Sequence, residues 1–251
     1  MMNQRLPFLL SLLWLMHLSI ICAAQTMRTD TVPYKPKFAA FIPPVAFFSY
    51  GIASLSNHSM IRGLDMSTRN ELQEDYPQFK VRIDDYLQFA PAFAVYSLNL
   101  AGIKGRNNLV DATGLFLLTE GIMGASVHSL KSLTNIQRPN GSTYNSFPSG
   151  HTSSAFAAAE FLRHEYKDVS PWIGYAGYTI ATATGMLRMY NNKHWLSDVV
   201  AGAGIGILSA KAAYLIYPGF KKLLLHGKSS NYNLVPFYQQ HSLGCSFHAT
   251  L

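Results

Sequence analysis

His194 and Asp198 stand four residues apart in HWLSD, at the start of an apolar run, so on a helix they share one face. That spacing lets the carboxylate take one imidazole nitrogen and leave the other as an outward lone pair, which a nucleophilic histidine needs. An ordinary interfacial pair has the same spacing. In PSGH, at 148–151, Ser149 reads as an N-cap and Gly150 as a point of close backbone approach to a ligand. The free amides of a first helical turn, with the helix dipole behind them, favour an anion. His151 beside them is suited to act as general acid toward a leaving oxygen, the plainer alternative being a capped helix whose histidine faces water. Lys131, Arg138 and Arg188 have no acidic partner among their sequence neighbours and lie at ends of apolar helices or in the adjoining loop. Gathered at one mouth they would repel unless an anion completed the site, and arginine forks suit phosphoryl oxygens. Taken singly, each is equally an interfacial cation whose stem lies on apolar surface.

The elements that must position these groups read as helices. Apolar helical patterns are expected near 86–103, 109–130, 150–167, 171–190 and 194–217, separated by loops carrying Gly, Asn, Pro or charge. Ser170 followed by Pro171 is a helix start with a capping hydroxyl and proline at the first position. AGAGIGILSAKAAYLIYP has small residues at close spacing, which suits tight helix contact. Several of these segments approach the roughly 20 residues that cross a bilayer. The segment at 150–167 is weaker, with Glu160 inside it, so a soluble all-helical bundle stays open as an alternative. Glu120 and His128, inside another apolar helix, suggest a polar contact within the bundle.

Composition points the same way. The 251 residues are 49% hydrophobic and only 13% charged, whereas soluble domains carry about 25%. The formal charge of +7 is scattered, with no basic stripe interleaved with aromatics, which argues against a nucleic-acid partner. Alternating helix directions put Lys131, His151, Arg188 and His194 at one side. Lys104, Arg106, Arg163, Lys167, Lys221, Lys222 and Lys228 fall on the other, which the positive-inside rule assigns to the cytoplasm.

Residues 1–24 run from Arg5 through LPFLLSLLWLMHLSII to CAA, the order of an export signal, with cleavage expected after Ala24; an uncleaved first membrane helix is the alternative. Residues 25–85 form an N-terminal segment with one apolar stretch at 38–56, broken by Pro43 and Pro44; from 57 to 85 it reads as an ordinary solvated stretch. The helical core is expected over 86–217 and a C-terminal tail over 218–251, with too little alternation anywhere for a sheet.

Three motifs now stand together: Lys131 with Arg138-Pro139, Pro148-Ser149-Gly150-His151, and Arg188 with His194 and Asp198. In residue type and spacing they resemble the signature of the type 2 phosphatidic acid phosphatase superfamily, which includes membrane lipid phosphatases, class A acid phosphatases and vanadium haloperoxidases. One departure is Leu187, where the family commonly has serine before the arginine. The resemblance implies an all-α helical bundle of the phosphatase and haloperoxidase kind, embedded in a membrane. It also implies roles: His194 as nucleophile, Asp198 orienting it, His151 as acid, and Lys131, Arg138, Ser149, Gly150 and Arg188 holding phosphate. No metal or cofactor is implied, and the sequence has no carboxylate cluster suited to a two-metal clamp.

The expected function is metal-independent hydrolysis of a lipid phosphomonoester or diphosphate through a phosphohistidine. Isoprenyl diphosphate, lipid A and phosphatidylglycerol phosphate are the substrates the resemblance brings forward. The expected location is the bacterial inner membrane with the site facing the periplasm, and the partners are phosphorylated lipid and membrane. A soluble periplasmic acid phosphatase, a vanadate-dependent haloperoxidase and a non-catalytic phospholipid-binding or structural membrane protein are the rivals.

Overall fold

The computed structural model describes residues 37–56, 60–224, 231–239 and 242–250, so the expected export signal at 1–24 lies outside the described residues. The chain divides into two units, Thr31–Lys228 and a second made of Met1–Asp30 with Ser229–Leu251. In the first, a short 3-10 turn at Phe38–Phe41 leads into α1 (Ile42–Ala53), then α2 (Met60–Asp75), α3 (Asp84–Leu87), α4 (Ala90–Leu100), α5 (Leu109–Thr134), α6 (Gly150–Tyr166), α7 (Pro171–Tyr190) and α8 (Leu196–Leu224). The described residues of this unit are all-α, as the periodicity implies. The differences are at the edges: the segment expected as one helix at 86–103 is α3 and α4, and α8 continues past Tyr217 through Pro218.

Local chemistry explains most of the ends. Asn108 caps α5 by accepting from the Asp111 amide at 2.8 Å while its own amide donates to the Asp111 carboxylate at 2.9 Å. Asn135 ends that helix in the left-handed region at φ 48°, a conformation asparagine tolerates better than most residues. Ser170 occupies the N-cap position of α7 but makes no capping bond, so Pro171 carries that start without the expected hydroxyl.

Of the helices expected from the apolar pattern, the one with the weakest signal is the most buried. Thirteen of the 17 residues of α6 are buried, which makes it the central helix, packed against α4, α5, α7 and α8. Protein packs around it, and its buried carboxylates Glu160 and Glu165 are satisfied by partners. Glu160 accepts two bonds from Arg163 at 2.7 Å and one from Lys211 at 2.8 Å, and also accepts from the Tyr178 hydroxyl. Glu120, by contrast, touches Ser154 across the bundle while His128 is exposed, so the expected contact involves the glutamate alone. At the end of the bundle away from His194, Asp111 accepts from Tyr217 and Lys221 at 3.0 Å each, and Glu165 accepts from Asn107.

The small residues of α8 let it approach two neighbours at once. A Cβ on Gly202 would lie 2.7 Å from the Ser149 carbonyl oxygen, one on Gly206 2.2 Å from that of Ser153, and one on Gly204 2.5 Å from that of Pro44 in α1. Gly206→Ala is therefore expected to cost about 1–3 kcal/mol by forcing α6 and α8 apart. Gly121→Ala, with nothing within 4 Å of its Cβ, serves as the control and should leave the thermal midpoint in detergent at or above the parent value. Equal midpoints for the two variants would contradict this packing.

The second unit contains an antiparallel hairpin, β1 (Asn231–Gln239) with β2 (Ser242–Thr250), in a register that sets Gln239 opposite Ser242 and Asn231 opposite Thr250. The expectation of a tail without strands is corrected here. Pro236 argues against a strand by sequence, but a two-stranded ribbon leaves one edge of each strand free, where a missing N–H is tolerated.

Candidate active site

The loop at 191–195 turns the chain from α7 into α8 and carries His194. Asn192, at φ 54°, makes the reversal, and the Lys193 amide closes it onto the Arg188 carbonyl at 3.0 Å. Asp198 sits in the first turn of α8. One of its oxygens, Oδ2, accepts from the Trp195 amide at 2.9 Å and the Ser146 hydroxyl at 2.5 Å, and lies 3.4 Å from His194 Nδ1. The last distance is long for a hydrogen bond, and such contacts commonly tighten when substrate arrives. His194 is 3% exposed. Burial pushes its pKa down to about 4; Asp198 opposes the shift, and the charges of Lys131 and Arg138 add to it. The imidazole is therefore neutral near pH 7, with Nδ1 toward the carboxylate.

A second set of bonds joins this pair to the start of α6. The Ser149 amide donates to the Asp198 carbonyl at 3.0 Å, so PSGH and HWLSD meet although they are far apart in the chain. Ser149 is the N-cap of α6, as expected, and is fully buried: its hydroxyl accepts from the Thr152 amide and pairs with Thr152 Oγ1 at 2.8 Å. That hydroxyl is engaged within the first turn of the helix. A Cβ on Gly150 would meet only Val127 Cγ1 at 3.8 Å, so packing within the protein does not demand glycine there.

The three cations reach the same region by different routes. Lys131, in the last turn of α5, donates to the Asn145 carbonyl at 2.5 Å and to that of Ser146 at 3.3 Å. Arg138 Nε donates to Asn145 Oδ1 at 3.0 Å, and its pKa is lowered by burial and by Arg188. Arg188, at the end of α7, donates from one terminal nitrogen to Asp84 at 2.5 Å and lies 3.8 Å from Asp85. Among the described residues its Nε is buried and has no hydrogen-bond partner.

Three further carboxylates were not legible as site residues. The stretch at 57–85, which reads as solvated, supplies Asp65, Asp84 and Asp85. Asp65 is buried and accepts from the Ser197 amide at 2.8 Å and hydroxyl at 2.7 Å, capping α8 from across the fold. Beside it, Arg62 lies over the Trp195 ring at 4.2 Å. Asp84 is 1% exposed and neutralises Arg188. Asp85, half-exposed, lies 2.9 Å from His151 Nε2. Asn191 holds their segment by bonding both the amide and the carbonyl of Val81 at 3.0 and 2.8 Å. Two consecutive acids before an apolar helix were the only signal, and it is the signal of any helix start.

The family model of the PAP2 superfamily matches residues 112–222. Lipid A 1-phosphatase of Porphyromonas gingivalis is 42% identical over 144 residues, 55% of this chain and 31% of that protein. The chain thus spans about a third of the length of the curated relative it matches. Among solved structures, Aquifex aeolicus LpxE matches with a TM-score of 0.43 at 21% identity, over 57% of this chain and 92% of its own. The first transmembrane PAP2 type phosphatidylglycerolphosphate phosphatase, from Bacillus subtilis, matches with a TM-score of 0.48 at 19% identity, over 72% and 97%.

Proposed function

We propose, from the match of residues 112–222 to the family model of the PAP2 superfamily, that the chain is a metal-independent phosphatase of a lipid phosphomonoester or diphosphate. The observation that carries this reading is the buried, neutral His194 with Asp198 at its Nδ1, joined through Ser149 to the start of α6 and within the field of Lys131 and Arg138. In the first step His194 Nε2 attacks phosphorus and the bond to the leaving oxygen breaks. His151 gives that oxygen its proton. In the second, water attacks the phosphohistidine, His151 takes a proton from the water, and the P–N bond breaks to return His194. Lys131, Arg138, Arg188 and the Gly150 amide hold the phosphoryl oxygens, supplying the positive charge that a metal supplies elsewhere. The unpartnered Nε of Arg188 and the open space above Gly150 support this assignment.

A lipid substrate is favoured by what flanks the site. Leu109–Thr134 and Leu196–Leu223 are long and apolar enough to cross a membrane. An apolar groove of about 410 Å³ lies against both, lined by Phe48, Ile122, Leu130, Ile205 and Leu208, and it reaches the residue next to Lys131. A head group at the mouth can leave its chains in that direction. The basic residues at the far end, Lys104, Arg106, Arg163 and Lys221 among them, favour a cytoplasmic position for that end and a periplasmic one for the site, in a bacterial inner membrane.

The Porphyromonas gingivalis relative, named for lipid A, makes the 1-phosphate of lipid A the first substrate to test. A phosphate-release assay on detergent-purified protein should show hydrolysis of lipid A at a higher kcat/KM than phosphatidylglycerol phosphate or isoprenyl diphosphate, with soluble esters slowest and chelator without effect. Release of the protein by osmotic shock, together with faster turnover of soluble esters, would replace this reading by a soluble acid phosphatase. Binding of all the lipids with turnover of none would identify a non-catalytic protein.

A further inference from the structure

His151 is not alone at the mouth. Its Nε2 lies 2.9 Å from Asp85 Oδ1, and the neighbouring Asp84 neutralises Arg188 at 2.5 Å. Two consecutive carboxylates on the short helix α3 thus serve two different site groups. The segment that carries them is fastened to the end of α7 by the paired Asn191–Val81 bonds, so the arrangement is built rather than incidental.

We propose that Asp85 is a positioning residue for catalysis: its carboxylate takes the Nε2–H of His151, which leaves Nδ1 as the atom that passes a proton to the leaving oxygen. This rests on the phosphatase reading above. The site then contains two carboxylate–imidazole pairs with opposite duties. Asp198 holds Nδ1 of a neutral histidine so that Nε2 attacks; Asp85 holds Nε2 of a protonated histidine so that Nδ1 donates. The proton count closes over the cycle. In the first step the Nδ1–H bond breaks, an O–H bond forms on the departing group, and the imidazole becomes the neutral Nε2–H tautomer without leaving Asp85. In the second step the Nδ1 lone pair accepts the proton of the attacking water, which restores the imidazolium.

The surroundings explain why a carboxylate is needed there. Burial and the Arg188 cation on α7 both lower the pKa of His151, and the opposing groups are Asp85 and Asp84 on α3. Asp84 is already committed to Arg188. With Asp85 in place the net shift is still downward, and without it the imidazolium available as an acid would fall further.

Asp85→Asn tests this directly, because the side chain is half-exposed and its loss leaves no buried charge. Two substrates are compared in detergent: phosphatidic acid, whose alkoxide leaves only when protonated, and p-nitrophenyl phosphate, whose phenolate leaves unaided. The variant should lose about 10–100-fold in kcat on phosphatidic acid and less than about threefold on p-nitrophenyl phosphate. Asp85→Glu should recover part of the first loss. The basic limb of the rate profile should move to lower pH in Asp85→Asn. A second readout needs no turnover: with histidine labelled by nitrogen-15, the His151 resonance, assigned through His151→Gln, should titrate at lower pH in Asp85→Asn. Equal losses on both substrates, or an unmoved His151 titration, would overturn the role of Asp85. Absence of turnover by the parent protein on every phosphate ester would instead overturn the phosphatase reading.

Discussion

His194→Ala should leave a folded protein with turnover reduced by at least about 10⁴-fold, the result expected if His194 forms the bond to phosphorus. The fold should survive because Asp198 keeps its shorter contacts. Its Oδ2 still accepts from the Trp195 amide at 2.9 Å and from Ser146, and only the 3.4 Å contact to the imidazole is lost. Substrate should still bind weakly through Lys131, Arg138 and Arg188. Two measurements check this: phosphate release by the purified variant, and acid-quenched trapping of labelled phosphate, which should mark the parent protein and not the variant. Turnover near the parental rate would remove His194 from the mechanism, whatever the state of the other residues.

Arg188→Ala is expected to combine two losses that can be separated. The first is catalytic: removing a cation aimed at developing phosphoryl charge should lower kcat by about 10²–10³-fold. The second is structural, and no local pattern around Arg188 signals it. Asp84 is 1% exposed and Arg188 is its main partner, the Asn191 amide being 3.5 Å away. Stripping one member from such a pair leaves a buried charge and costs about 3–5 kcal/mol. The double variant Arg188→Ala with Asp84→Asn should therefore regain most of the thermal stability and none of the rate. If the double variant regained turnover, Arg188 would be a structural cation only. A pure rise in KM with unchanged kcat would likewise show that it binds the ground state and transition state equally.

The helical core was legible from hydrophobic periodicity because each helix declares itself within its own length. α7 runs over Pro171–Tyr190, where the pattern places it, since proline at its first position and an apolar repeat are local signals. The central position of α6 was not legible. Glu160, read as a weakness in a membrane helix, is matched by Arg163, Lys211 and Tyr178, two of which come from other helices. Hydropathy averages a segment against lipid or water, and it cannot register polar partners that packing will supply. The hairpin at 231–250 escaped for a related reason: its cross-strand pairing is absent from either strand alone, and Pro236 speaks against it.

Spacing within short segments was enough to nominate His194 with Asp198, Ser149 and Gly150 with His151, and the three cations, because helix geometry relates residues a turn apart. The partners that set the charge state and orientation of those groups are another matter. Asp84 reaches Arg188 across 104 residues, Asp85 reaches His151 across 66, and Asp65 reaches Ser197 across 132. A carboxylate in a polar stretch carries no mark of what it will face once the chain is packed. Its effect comes from distance and burial, and both are properties of the folded arrangement rather than of neighbours along the chain.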